Sequence, residues 1–432
     1  MRSLFLTALL ALTGLAVFAQ KLPKAKDLLE KNKLAEAKTE IDNFLAVEKN
    51  KANSEAWYTK AKIYNAIAKD NALKATVPNA RETAFESLRQ YAEIEKTTVK
   101  DTAKRFLLLN VDRTPLVDLY QGYSADAATF FNSGNYNDAL ANFKNSYSVF
   151  EFLANNGWTN NIKLDTTTAL YAGISAEKAN KPEEAAVYYG KIAESKATGE
   201  GFAEIYKWLA DYHYRKGNKE ESMKFVNLGK QVYPKEAFWP EFELDMMRET
   251  ADKNQLFQKY EEIVTANPDS FLYRFNYGVE LYQAAYNPDS TQRPANSKEM
   301  ITKAVEQLNA ALKLNPDYAN AHLLLGQIYY NEGVDISNVN KAIRPKGNAK
   351  LSAAELKKKE ELRNEMNKKY DQAIPHFEKV DTLIGSKGKL KADEKGRLKD
   401  AYDLLISIYE QRQDKEKAAA YTDKFNNVEK NH

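Results

Sequence analysis

Between Tyr206 and Pro234, large apolar and small side chains recur at helical spacing: Tyr206, Leu209 and Ala210, then Gly217-Asn218, then Ser222, Val226 and Gly229. Steps of three and four keep such residues on one helix face, and Gly-Asn interrupts the run. The pattern predicts two helices that meet through small residues across a tight turn. The block returns along the chain. Residues 123–146 give Tyr123, Ala127 and Phe130, the turn Ser133-Gly134-Asn135-Tyr136, then Ala139, Phe143 and Ser146. Residues 169–192 give Ala169, Gly173 and Ala176, the turn Asn180-Lys181-Pro182, then Ala185, Tyr189 and Ile192. Pro182 suits the first turn of a helix, where the missing N–H costs nothing.

Less regular copies fill the rest. A first helix over 54–68 carries Trp57, Ala61 and Tyr64, and its second helix, with Ala84, Leu88 and Tyr91, follows Val77-Pro78-Asn79. Before it, 34–45 reads as the second helix of an N-terminal half-repeat, and 238–268 as a degenerate copy ending in Asn267-Pro268. A helix over 271–285, with Tyr277, Gly278 and Leu281, pairs across the polar stretch 287–297 with Ala304, Leu308 and Ala311. His322, Leu325, Gly326 and Tyr329 pair across a longer insertion with Ala373, Phe377 and Val380. The last copy runs from Tyr402, Leu405, Ile406 and Tyr409 through Gln413-Asp414 to Ala418 and Phe425. Asn267-Pro268 and Asn315-Pro316 stop helices, because proline disfavours the helical region for the residue before it.

A helix-turn-helix unit about 34 residues long, with small residues at its internal contact, resembles the tetratricopeptide repeat. The resemblance covers nearly all of residues 30–428. It implies an all-α fold, an α-solenoid of stacked repeats forming a right-handed superhelix. It also implies a non-catalytic scaffold that binds a protein or peptide partner. First helices line the concave face in this family. Their residues turned away from the second helix are therefore the partner-binding candidates: Tyr58, Lys62 and Asn65; Lys207, Asp211 and Tyr214; Phe275 and Tyr282; Gln327 and Tyr330. Tyr214, Tyr282 and Tyr330 are expected on one concave side, whereas Tyr64, Tyr329 and Tyr409 read as packing rings. The chain departs from the family in two ways. The tryptophan usual early in the first helix appears only at Trp57. The lysine and asparagine set with which some members clamp a C-terminal carboxylate is not reproduced in neighbouring repeats, which argues against a chaperone-tail partner. An aromatic groove also suits sugar rings, so glycan or peptidoglycan binding is the alternative reading.

The repeat is most disturbed over 334–369. There Lys341 to Gly347 reads as a loop, Ser352 and Glu355 as a capping box, and Lys357-Lys358-Lys359-Glu360-Glu361 as part of an elongated charged helix projecting from the solenoid. The expected organisation is a leader over 1–19, repeats over 20–333, the charged insertion over 334–369 and C-terminal repeats over 370–432.

Composition narrows the chemistry. With 63 basic and 60 acidic residues, the net charge of +3 creates no field that calls for nucleic acid. The absence of cysteine excludes disulfides, thiolate metal sites and a cysteine nucleophile. The histidines are His213, His322, His376 and His432, with no pair at a helical ligand spacing. No phosphate loop or nucleophile elbow occurs. Glu183-Glu184, Glu220-Glu221 and Glu261-Glu262 are expected in first turns of second helices, where carboxylates favour the helix dipole. The expectation is no enzyme, no cofactor and no metal.

Met1-Arg2, an apolar run from Leu4 to Val17, and Val17-Phe18-Ala19 form a secretory leader pattern. No second apolar stretch of membrane length follows. The resemblance to exported bacterial members of the family then implies the periplasm or cell envelope of a Gram-negative bacterium. The mature chain is predicted to begin at Gln20 or within a residue or two of it, as read by intact mass. A native species retaining Met1 would sink the export reading.

Overall fold

The computed structural model describes residues 21–249, 252–345 and 350–432; the leader expected over 1–19 lies outside them. Every regular element among these residues is helical. Contacts divide the chain into two units, Met1–Glu236 and Ala237–His432. The first unit contains α1 (Leu22–Glu30), α2 (Leu34–Ala46), α3 (Ser54–Lys69), α4 (Ala80–Thr98), α5 (Leu107–Val111), α6 (Thr114–Asn132), α7 (Tyr136–Asn155), α8 (Thr166–Lys178), α9 (Pro182–Glu194), α10 (Phe202–Arg215) and α11 (Lys219–Val232). The second contains α12 (Phe238–Arg248), α13 (Lys253–Ala266), α14 (Phe271–Ala285), α15 (Ser297–Leu314), α16 (Ala319–Ala342), α17 (Ala353–Val380), α18 (Ala392–Gln411) and α19 (Lys415–Asn431).

Sequence neighbours pack as pairs: α1 with α2, α3 with α4, α6 with α7, α8 with α9 and α10 with α11, and in the second unit each even-numbered helix with the next. The half-repeat expected at the N-terminus is a whole one. Its first helix, α1, buries only Leu22, Ala25 and Leu28 among lysines, which is too little apolar signal to mark it in the sequence.

The turns explain why the chain doubles back. A left-handed residue follows the first helix of several pairs: Asn32 (φ 56°), Gly134 (79°), Asn180 (58°), Gly217 (78°) and Gln413 (62°). The next N–H then reaches five residues back, from Asn135 to the Phe130 carbonyl and from Asn218 to the His213 carbonyl, both at 2.9 Å. These are Schellman closures, which satisfy carbonyls that a helix end leaves free. Asn135 and Asp414 then cap the second helices by accepting from the Asp138 and Lys417 N–H groups.

Small residues set the distance within a pair. A Cβ placed on Gly326 would lie 2.5 Å from Phe377 Cε1; one on Gly278 would lie 2.8 Å from Leu308 Cγ and 3.2 Å from the Ala304 carbonyl oxygen. Contacts under 3 Å are not tolerated, so glycine lets the α16 backbone lie against the Phe377 ring. Early in the second helix a buried serine completes the contact. Ser222 donates to the Ala210 carbonyl at 2.7 Å, and Ser297 to the Ala285 carbonyl at 2.8 Å. Tyr64 and Tyr409 are buried packing rings, and Tyr329 stacks on His376. Glu261 and Glu262 lie well inside α13, not in its first turn. Glu261 pairs with Lys303 and accepts from the Tyr277 hydroxyl at 3.0 Å.

The 334–369 segment is a lengthened hairpin. Both helices of the pair extend: α16 runs on to Ala342, and α17 starts at Ala353 under the Ser352–Glu355 capping box. Contacts of Gly326 with Phe377, Gly333 with Tyr370 and Asn340 with Lys359 show the antiparallel course. Lys359 donates to the Asn340 carbonyl at 2.7 Å, placing a cation on the C-terminus of α16. The elongated helix is therefore packed along its partner, and not alone. Sequence reading missed the extension of α16 because the positions it buries there are small, Gly333 and Ser337, while Val339 is exposed, so no large apolar stripe marks it.

The same pair joins two histidines. Nδ1 of His322 lies 3.0 Å from Nδ1 of His376, and Nε2 of His322 lies 2.9 Å from the Pro316 carbonyl oxygen. The carbonyl can only accept, so His322 donates from Nε2 and receives the Nδ1–H of His376. Burial, then the neighbouring His322, pushes His376 down to about 4; burial also lowers His322, opposed by the Pro316 carbonyl. The unfolded chain therefore binds more protons than the folded one below a pH of about 6.5.

Two predictions follow from these contacts. Gly326→Leu should destabilise the chain by roughly 1–3 kcal/mol through overpacking; an unchanged melting midpoint would refute the register. Between pH 7 and 4.5, the contribution of the His322–His376 pair should be full above about pH 6.5 and fall as pH drops toward 4. The wild-type melting midpoint should thus decline more steeply than that of His376→Leu, and equal slopes would contradict the assignment.

Candidate functional site in the N-terminal unit

Helix α3 presents Glu55, Tyr58, Lys62, Asn65, Ala66 and Lys69 at steps of three and four, so they share one face. Tyr58 meets Tyr91 of α4 at 5.5 Å, but no residue of α4 lines the space in front of this face. The face borders a cavity of about 780 Å³ walled also by α1, α5 and the start of α6. Asn53 starts α3 by accepting from the Ala56 N–H at 3.1 Å. Asp112, just ahead of α6, accepts from the Thr114 N–H at 3.1 Å in the turn that leads into the helix, with Pro115 following in the first turn. Leu29, Leu34, Leu108 and Pro115 supply apolar lining.

Ion pairs cross between the walls. Lys62 Nζ lies 3.0 Å from Asp112 Oδ2 and Lys69 Nζ lies 2.8 Å from Asp118 Oδ2, while Lys26 pairs with Glu55. The Tyr58 hydroxyl donates to the Asp112 carbonyl oxygen at 3.0 Å and lies 3.2 Å from its carboxylate; the Asn65 amide donates to Asp118 at 3.0 Å. Burial pushes the Asp112 carboxyl up, but Lys62 and the Thr114 hydrogen bonds outweigh it and hold the group at about 2. Burial, and then the Asp112 charge, raise the Tyr58 phenol well above its usual range, so it remains a donor. The lining carries three lysines against Glu30, Glu55, Asp70, Asp112 and Asp118, a balance of 3 − 5 = −2. Such a wall offers hydrogen bonds, apolar area and a mild preference for cations.

Of the ten residues expected at a partner surface, this groove gathers Tyr58, Lys62 and Asn65. Tyr58 and Asn65 are nonetheless buried, at 7% and 6% exposure, so they shape the wall and do not project from it. Lys207 is held by Glu204 on its own helix and by Glu236 beyond α11, and Asp211 by Arg215 one turn on. Tyr214 and Gln327 are half-buried. Phe275 packs edge-on against Tyr318 at 5.0 Å, and Tyr330 stacks on Tyr370 at 5.8 Å. Tyr282 is 9% exposed, stacks on Tyr286 and accepts from the Asn331 amide at 2.8 Å. Tyr282 is a core ring, which corrects the expectation that Tyr214, Tyr282 and Tyr330 form one open surface. A large ring on a first helix buries more area between repeats than it would in a groove.

Sequence reading missed Asp112, Asp118 and Lys69. A weak signal existed: Lys62 and Lys69 are seven apart on α3, close to two helical turns, and Asp112 and Asp118 flank the start of the next first helix six residues apart.

Residues 297–333 match the family model described as TPR repeat; they comprise α15 and the first part of α16. No curated protein matches the chain. Among solved structures, a TPR repeats protein from Bacteroides fragilis is similar at 15% identity, over 66% of this chain and 99% of that one, with a TM-score of 0.30. The C-terminal part of a TPR repeat-containing protein from Cytophaga hutchinsonii is similar at 13% identity, over 95% of this chain and 96% of that one, with a TM-score of 0.28. Neither score says anything of function. Helix pairs closed by left-handed turns and joined through small residues recur along the described residues, and over 297–333 one such stretch matches the tetratricopeptide-repeat model.

Proposed function

We propose that the chain is an exported, non-catalytic scaffold of the bacterial envelope, and that it holds an extended, lysine- or arginine-bearing segment of a protein partner in the α1–α3–α6 groove. The observation that carries this reading is the groove itself: a preformed cavity on first helices, with a −2 lining and carboxylates at its rim. Glu55, Asp112 and Asp118 already pair with lysines, so a partner cation would share or exchange those pairs without reorganising the wall. The contribution of such rim charges is modest and screened by salt. Apolar lining and excluded water supply the rest of the affinity. The leader pattern of residues 1–19 supports export.

Affinity capture from envelope extract, followed by titration of the purified partner, tests the groove. Asp112→Asn with Asp118→Asn should weaken binding roughly tenfold, ~1.4 kcal/mol. The wild-type affinity should fall as salt rises, and the variant should still melt as a folded protein. A partner that binds the double variant as tightly as wild type would remove the groove assignment and direct attention to the lengthened 334–369 hairpin.

A further inference from the structure

A second cavity of the N-terminal unit has no charged residue in its lining. It lies between α6 and α8, measures about 520 Å³, and is lined by one face of α6 from Tyr120 to Asn132, by Phe143, and by Thr167, Thr168 and Tyr171. In a chain of which 28% is charged, a surface slot without a charge is an unusual sample. All the lining residues except Ala128, Phe131 and Phe143 carry a hydroxyl or an amide.

Tyr171 sets the slot apart. It is the only aromatic residue in the exposed class among the described residues, at 39% exposure. One face of its ring stacks on Phe143, with centroids 5.7 Å apart and planes at 19°; Phe131 meets it edge-on at 5.4 Å and 86°. The ring is thus fixed by two others while part of it stays open to solvent. Deeper in the slot, Tyr120 donates to Asp165 at 2.8 Å and Ser124 bonds Ser146 at 2.7 Å, which fixes the wall. Gln121, Asn132 and Thr167 are exposed, and their side chains make no hydrogen bond among the described residues. A rigid ring therefore sits beside uncharged donors and acceptors that are unused.

We propose that this slot is a binding subsite for a neutral sugar ring. A pyranose offers C–H groups on its face and hydroxyls on its edge. The face suits the open part of Tyr171, and the edge suits Gln121, Asn132 and Thr167, which supply both donors and acceptors. An apolar side chain of a peptide would cover the same amides without pairing them, which costs free energy for each one left unmatched. A charged ligand would find no opposite charge in the lining. The volume is within the usual range for small-molecule sites, about 300–1,000 Å³. The subsite goes beyond the protein-binding reading and does not depend on it, since the groove charges are absent from its lining.

The test titrates the full mature chain with three neutral probes, cellotetraose, maltotetraose and chitotetraose, by calorimetry and saturation-transfer NMR. At least one should bind with a dissociation constant of about 1 mM or tighter. Tyr171→Ala should weaken it at least about tenfold, Tyr171→Phe should retain most of it, and Gln121→Ala with Asn132→Ala should weaken it severalfold. Tyr171→Ala loses the ring contacts with Phe131 and Phe143, so a cooperative melt must show it folded at the titration temperature, and Tyr171→Phe, which keeps them, controls for packing. Asp112→Asn with Asp118→Asn should leave sugar binding unchanged, which separates failure here from failure of the groove. No binding of any probe at about 10 mM, or equal binding by Tyr171→Ala, would overturn the proposal. So would a protein partner that loses affinity for Tyr171→Ala while no saccharide binds, which would make the slot a peptide anchor.

Discussion

The close approach of two helices within a pair is the constraint on which the rest depends. Where Gly326 faces Phe377 and Gly278 faces Leu308, no side chain separates one helix backbone from the ring or branch of its partner. That contact decides which face of each helix is inward. Once the second helix has covered one face of the first, and the next repeat another, only one strip of the first helix stays open. The left-handed residues between the helices serve the same end, since a pair must close sharply for its small residues to meet. Function in such a fold is confined to what the strip displays.

Much of this was legible in the sequence because packing of small against large residues repeats along the chain. Gly326, Gly278 and Ala210 announce their contacts by spacing, as do the turns at Gly134 and Gly217 and the cap at Ser352. The site was less legible, for a physical reason. Helical periodicity separates inward from outward, but it does not say which outward residues the next repeat will cover. Tyr282 and Tyr58 share the spacing of groove residues and are buried by neighbouring elements. The partnership of Lys62 with Asp112 joins residues 50 apart and depends on how two first helices lie side by side. The His322–His376 contact, 54 residues apart across the lengthened hairpin, is equally invisible to local spacing.

Helix α6 shows how one rigid element can display two chemistries. Its first turns give Pro115 and Asp118 to the charged groove, and its later turns give the face from Tyr120 to Asn132 to the uncharged slot. The first surface is built from crossing ion pairs, is modest in energy and is sensitive to salt. The second is built from a ring clamped by two others, so little side-chain entropy is lost when something rests on it. Both are held by packing that a partner need not create, which is the advantage of a preformed surface over a flexible one.

The central claim is that partners engage the open strip of first helices in the N-terminal unit and not the outer face of second helices. Site-specific photocrosslinking in living cells tests it whatever the identity of the partner. One photoreactive residue would replace Lys69, which lines the groove and is 58% exposed at its side chain. Another would replace Val187, which is 56% exposed on the second helix α9. A discrete protein adduct from position 69 and none from position 187 is the predicted result. An adduct from position 187 with none from position 69 would contradict the account.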